Sequence, residues 1–109
     1  MSAKRQKYRA VRTECAEGHS HPSKGEAKRC NDLHLLQRAG QIRLLQREVP
    51  FPVFINGEKV FTYRADFVYF QGDERIIEDY KGAITPIYRL KKKCVEAYHS
   101  GVRIVEVRG

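Results

Sequence analysis

A chain of 109 residues suffices for one modest hydrophobic core and one domain. Its 21 lysines and arginines against 13 aspartates and glutamates give a net charge of +8, which favours polyanionic partners, nucleic acid first and an anionic membrane surface second. No apolar run approaches the roughly 20 residues that span a bilayer. The basic start "MSAKRQKYRAVR" lacks the apolar stretch of a signal peptide, and Cys15, Cys30 and Cys94 are too few and too scattered for a disulfide framework.

Residues 1 to 8 carry Lys4, Arg5 and Lys7 with no acid and read as a flexible basic arm ahead of a single domain over residues 9 to 109. "YRAVRTEC", "AEG" and "HSHP" suggest a short irregular hairpin. "SKGEAKRCNDLHLLQRAG" reads as a helix with both ends marked: Ser23 as N-cap, Glu26 completing a capping box, and Gly40 as the stop. Ala27, Cys30, Leu33 and Leu36 recur along it at helical spacing. "VPFPVFI" is a strand whose prolines place it at a sheet edge or on entry from a loop, and Asn56-Gly57 turns it back into "KVFTYRADFVYF". "RIIEDYK" is a third short strand. "TPIYRLKKKCVEAYHSG" is a second helix, with Thr85 as N-cap, Pro86 at the first position and Gly101 as terminator, and "VRIVEV" is a last strand. The expected fold class is therefore α/β: helix, three-strand antiparallel meander, helix, strand, with a mixed central sheet. A right-handed crossover sets the last strand parallel to the third.

Alternation along the third strand puts Ile77, Asp79 and Lys81 on one face and Ile76, Glu78 and Tyr80 on the other. On the second strand it groups Arg64, Asp66, Val68 and Phe70. Folding the hairpin about Gly72-Asp73 sets Asp66 opposite Asp79, with Cβ atoms roughly 4.5–5.5 Å apart. Two such charges repel by about 1 kcal/mol in water and about 3 kcal/mol at an effective dielectric of 20, and a divalent cation between them reverses the sign. Mg²⁺ binds through one or two carboxylates, keeps waters and takes a phosphate oxygen. Asp66, Asp79 and Lys81 on one face thus form a minimal site for phosphodiester hydrolysis.

These residues resemble the PD-(D/E)XK nucleases, which have a restriction-endonuclease-like fold. That family's pattern is an acid on the second strand, a D/E-x-K on the third and another acid on the preceding helix. Here Asp66, Asp79-Tyr80-Lys81 and Glu26 stand at those positions, and the order of elements over residues 23 to 107 agrees. More narrowly, "YRADFVY", "EDYKG", "TPIYRLKKK" and "SKGEAKR" are similar to small phage-encoded endonucleases. Ala65 replaces the proline that often precedes the first acid, and in the doublet Glu78-Asp79 face parity selects Asp79. The resemblance implies a Mg²⁺-dependent DNA endonuclease, with Mn²⁺ as a substitute and no small-molecule cofactor. Asp66, Asp79 and the Tyr80 carbonyl would hold the ion, Lys81 would sit by the attacking water, and Glu26 would complete the site. A protein of this size presents little surface to a duplex, so a homodimer acting on duplex or branched DNA is the natural extension. A cytoplasmic setting is expected, the host's if the chain is phage-encoded. The rival reading is a non-catalytic DNA-binding accessory that keeps the fold; a nuclease acting on RNA is a third.

The simpler readings are specific. Glu26 fits a helix cap, Asp66 a strand-edge acid, and Asp79 with Lys81 a surface ion pair worth about 0–1 kcal/mol. Helical spacing turns Ile87, Leu90, Cys94 and Ala97 toward the core and leaves Arg89, Lys92 and Lys93 outward. With Lys24 and Arg64 these form the expected nucleic-acid-binding set, tracking backbone phosphates in a salt-dependent way. The apolar face of this basic helix is needed for the core, which argues against a membrane partner. Tyr88 and Tyr98 read as packing residues. Cys15, His19, His21, Cys30 and His34 cluster in sequence, but no pair has the Cys-x2-Cys spacing of structural zinc; Cys30 and Cys94 read as small apolar packing residues.

Overall fold

Turn and cap chemistry sets most of the element boundaries. A computed structural model describes residues 13–15, 20–21 and 23–108; the expected basic arm at residues 1 to 8 lies outside them. Two short strands, β1 (Thr13–Glu14) and β2 (Ser20–His21), pair antiparallel where the irregular hairpin is expected. They precede α1 (Lys24–Arg38), whose N-cap Ser23 accepts the Glu26 backbone N–H through Oγ at 3.2 Å. Then come β3 (Arg43–Ile55), β4 (Glu58–Gln71), β5 (Glu74–Lys81), α2 (Pro86–Tyr98) and β6 (Ile104–Arg108). The β3–β4 turn is Asn56-Gly57, both in the left-handed region at φ 51° and 80°, the pairing that matches strand twist in a two-residue hairpin.

The result is a small α/β domain with two helices and a mixed four-stranded sheet of order β3-β4-β5-β6. The β3–β4 and β4–β5 pairs are antiparallel, and β6 runs parallel to β5 with Ile77 beside Ile104. β3 starts earlier than its prolines suggest and is an edge strand, as Pro50 and Pro52 require. One helix lies on each side of the sheet. Ala27, Cys30 and Leu33 of α1 pack with Phe67 and Tyr69; Tyr88 and Val95 of α2 pack with Phe51, Val53, Tyr63, Val68 and Ile77. Full burial of Leu33 and Phe67 contributes roughly 1.5–3 kcal/mol each. That exceeds a surface ion pair, so the apolar stripe of α1 decides where it sits. Among the described residues no helix is long and apolar enough to cross a membrane.

A local irregularity in the β3–β4 ladder decides which β4 side chains face each helix. Between Arg47↔Phe67 and Val49↔Ala65 the ladder skips Glu48 and Asp66, and Glu48 takes φ 52°. Strand faces exchange at this step. Tyr63 and Ala65 join the α2-side core before it; after it Val68 does, while Phe67 and Tyr69 turn to α1.

Candidate functional site

The β4–β5 hairpin pairs Phe67 with Glu78 and Val68 with Ile77, the register set by folding about Gly72-Asp73. One step further, Asp66 and Asp79 meet on the α2 side of the sheet. Asp66 Oδ2 accepts the Tyr80 backbone N–H at 2.8 Å, which fixes its carboxylate against β5. Asp79 is 2 % exposed. Lys81 Nζ stands 2.9 Å from Asp79 Oδ2, an ion-pair distance outside hydrogen-bond geometry, so Oδ2 has no hydrogen-bond partner among the described residues. The same ammonium lies 4.2 Å from the centre of the Tyr88 ring, a cation–π contact that holds it over the cleft. The cleft measures about 360 Å³, and its lining includes Tyr63, Arg64, Asp66, Asp79, Lys81 and Lys91.

Burial, and next the charge of Asp79, push the Asp66 carboxyl up to about 8; the charge of Glu26 acts in the same direction and the Tyr80 N–H against it. Among the described residues no three His, Cys, Asp or Glu side chains are disposed to hold a metal ion by themselves. The candidate ligand set is two carboxylates and the backbone carbonyl of Tyr80. Those hard oxygen donors suit Mg²⁺ or Mn²⁺, which keep waters in the remaining positions. The Asp79 oxygen that accepts no hydrogen bond, although Lys81 is at ion-pair distance, and the closeness of the two acids are what a cation there would relieve.

The other face of β5 is built differently. Glu78 is buried and receives two hydrogen bonds from Arg29 on α1, Nε to Oε1 at 2.7 Å and Nη2 to Oε2 at 2.8 Å. The Tyr69 hydroxyl donates to Oε2 at 2.6 Å. This forked pair holds the Arg29 guanidinium well above its ordinary range, and burial, then Glu78, pushes the Tyr69 hydroxyl up to about 12. Parity thus separates the doublet: Glu78 fastens α1 to the sheet, and Asp79 faces the cleft. The start of α1 is also seated on Tyr80, since a Cβ on Gly25 would run into the Tyr80 ring and hydroxyl. Glu26 is buried beside that contact. Its backbone N–H donates to the Ser23 cap.

α2 is rotated from the expected orientation. Tyr88 and Val95 are its buried residues, Cys94 is half-buried, and Ile87, Leu90 and Ala97 are exposed, the first two at 63 % and 61 %. Polar contacts explain the turn. Glu106 of β6 accepts both the Tyr88 hydroxyl and Lys92 Nζ at 2.9 Å, and Lys92 first, then Tyr88, holds its carboxyl below the usual range. Lys92, expected outward, is therefore half-buried, with its charge on Glu106. Lys24, Arg64, Arg89 and Lys93 are exposed, and Arg64 lies at the cleft.

Sequence alternation missed Tyr63. It places Arg64 with Asp66, but the face exchange brings Tyr63 to the same cleft. Nothing in the residue type announces this. Lys91 and Glu106 were equally silent in the sequence. In the cysteine–histidine cluster, Cys15 Sγ and Cys30 Sγ lie 3.3 Å apart and His34 Nδ1 is 2.9 Å from the Cys30 carbonyl oxygen. Both cysteines are buried, and burial, then Cys15, pushes the Cys30 thiol up to about 12, as befits packing residues. His19 lies outside the described residues.

A comparison with curated proteins and one with solved structures each returned no match. Residues 5–108 match the family described as protein of unknown function DUF1064. With nearly its whole length inside that match, the chain belongs to the DUF1064 family.

Proposed function

We propose that this protein is a divalent-metal-dependent endonuclease that hydrolyses phosphodiester bonds in DNA, on a sheet-and-helix frame of the restriction-endonuclease-like kind. The observation that carries the reading is Asp79: a carboxylate almost wholly removed from water, beside a second acid, with an oxygen that accepts no hydrogen bond. A fold chosen for stability alone gains nothing from this arrangement. Asp66, Asp79 and the Tyr80 carbonyl would hold Mg²⁺ or Mn²⁺. When bound, the ion polarises the phosphodiester and makes water a better nucleophile.

The rest of the work falls to the protein's own groups. The Tyr80 N–H keeps the Asp66 carboxylate turned into the cleft. Lys81, braced by Asp79 and the Tyr88 ring, presents its ammonium where it can orient the attacking water and stabilise charge growing on the phosphate. Arg64 and Lys91 at the cleft, with Arg89 and Lys93 on α2, offer positive charge to the flanking phosphates. The water oxygen bonds to phosphorus and gives up a proton, the P–O bond to one deoxyribose breaks, the departing deoxyribose oxygen takes up a proton, and the two new DNA ends leave. The exposed Ile87 and Leu90 support a homodimer, which light scattering in solution checks.

The test is incubation with plasmid, single-stranded and four-way-junction DNA, and with RNA, in Mg²⁺ or Mn²⁺, alongside Asp79→Asn and Lys81→Ala. Cleavage of DNA by the parent, lost in both variants, is the expected result. Tight DNA binding indifferent to chelator, with no nicking in either metal, identifies the non-catalytic accessory instead.

A further inference from the structure

A second depression lies on the opposite flank of α2 from the cleft. Arg89, Lys92, Lys93 and Glu96, which share one flank of the helix by their spacing, line it with β6, whereas Ile87, Tyr88 and Lys91 line the cleft. It measures about 530 Å³, and with Arg108 of β6 its lining holds four cations against the two acids Glu96 and Glu106. Both acids are already engaged. Glu96 accepts the Ile104 backbone N–H at 2.8 Å, and Glu106 accepts Lys92 Nζ and the Tyr88 hydroxyl. Arg89, Lys93 and Arg108 are exposed, and among the described residues none of their side chains makes an ion pair; Arg108 acts on Glu106 only at a distance. Groove and cleft adjoin at the end of the sheet, where Arg108, which lines the groove, is the register neighbour of Lys81, which lines the cleft.

We propose that this groove holds the sugar-phosphate backbone of the DNA strand opposite the one being cut, through Arg89, Lys93 and Arg108. This rests on the nuclease reading and narrows its substrate to DNA that is duplex at the cut. Spacing supports it. An α-helix with its side chains is roughly 10–12 Å across, and the major groove between the two backbones of B-DNA is roughly 12 Å wide. With α2 between them, cleft and groove are separated on that scale, so a duplex laid across the end of the sheet sets one backbone in each. Charge supports it too. The three cations left over from the groove's internal pairs suit phosphates, and two of them are arginines, whose planar fork takes two oxygens of one phosphate.

The experiment compares the full chain with the double variant Arg89→Ala/Arg108→Ala on two duplexes in Mg²⁺. One duplex is natural; in the other, one strand carries neutral methylphosphonate linkages, so that only its natural strand can be cut. The parent's KM should rise at least about tenfold on the half-neutral duplex. The double variant should show KM about 10- to 100-fold above the parent's on the natural duplex, kcat within about threefold, a shallower dependence on salt, and at most about a further twofold rise on the half-neutral one. Arg89→Lys/Arg108→Lys should recover most of the lost affinity, as a charge contact requires. A double variant within twofold of the parent on the natural duplex overturns the inference while the nuclease reading stands. So does a neutral strand that leaves the parent's KM unchanged, or that raises the double variant's as steeply as the parent's. A parent that cuts nothing in Mg²⁺ or Mn²⁺ removes the reading and the inference together.

Discussion

Glu78 and Asp79 are adjacent, carry the same charge and are both buried, yet their surroundings are opposite. Toward α1, Glu78 is met by a forked arginine and a tyrosine hydroxyl, and its charge is answered. Toward α2, Asp79 has a lysine at ion-pair distance, an oxygen that accepts nothing, and a second acid for a neighbour. A complete set of partners marks a fastening. An incomplete one, held in place by a complete one on the other side of the same strand, is the observation on which the proposed metal site rests.

The contrast can be broken by substitution. The largest effect expected is on turnover: Asp79→Asn should slow DNA cleavage by at least about a thousandfold, with little loss of stability. A variant that cuts as fast as the parent would sink the assignment of Asp79. Next is Arg29→Ala, which strands the Glu78 charge in the core and should cost about 3–5 kcal/mol in urea unfolding while leaving cleavage per folded molecule near the parent's. Tyr69→Phe should cost less, about 1.5–3 kcal/mol, with the same indifference in turnover. A large fall in activity without loss of fold in either variant would erase the distinction between the two faces.

The smallest effect is in pH, and its sign is informative. Asp66 has its folded pKa near 8, above an unfolded value of about 4. Between those limits the folded protein keeps a proton that the unfolded chain has released. Its contribution to stability therefore falls as pH rises from about 4 to about 8 and is constant above. In chelator, the parent's unfolding midpoint should fall over that window relative to Asp66→Asn, and Mg²⁺ should flatten the difference. A parent and variant that run parallel in chelator would show that Asp66 bears no such strain.

Much of this was legible in the residues, for reasons that can be named. Ser23, Thr85, Gly40 and Asn56-Gly57 act locally, so helix ends and the first hairpin follow from cap and turn chemistry. The nearness of Asp66 to Asp79 needed only one turn and strict alternation, and β5 obeys alternation throughout. β4 does not. Its faces exchange between Ala65 and Phe67, opposite Glu48, a glutamate in a backbone conformation glutamates seldom adopt, and this leaves Tyr63 on the α2 side. The rotation of α2 was hidden for a different reason. Hydrophobic spacing favoured Ile87 and Leu90, whereas the helix is set by Tyr88 and Lys92 reaching for Glu106 on a strand that comes after it in the chain. The Arg29–Glu78 pair spans a still longer gap in sequence, and no local pattern reports a contact of that kind.

Because the two acids differ only by which side of a two-residue repeat they occupy, the length of β5 is itself under constraint. Adding or deleting one residue between Ile77 and Lys81 would swing Glu78 or its replacement into the cleft and release the Arg29 clasp of α1 from β5 in the same stroke. Length variation in this part of the chain should therefore be confined to the Gly72-Asp73 hairpin tip, where extra residues reach solvent without disturbing the phase of the strand.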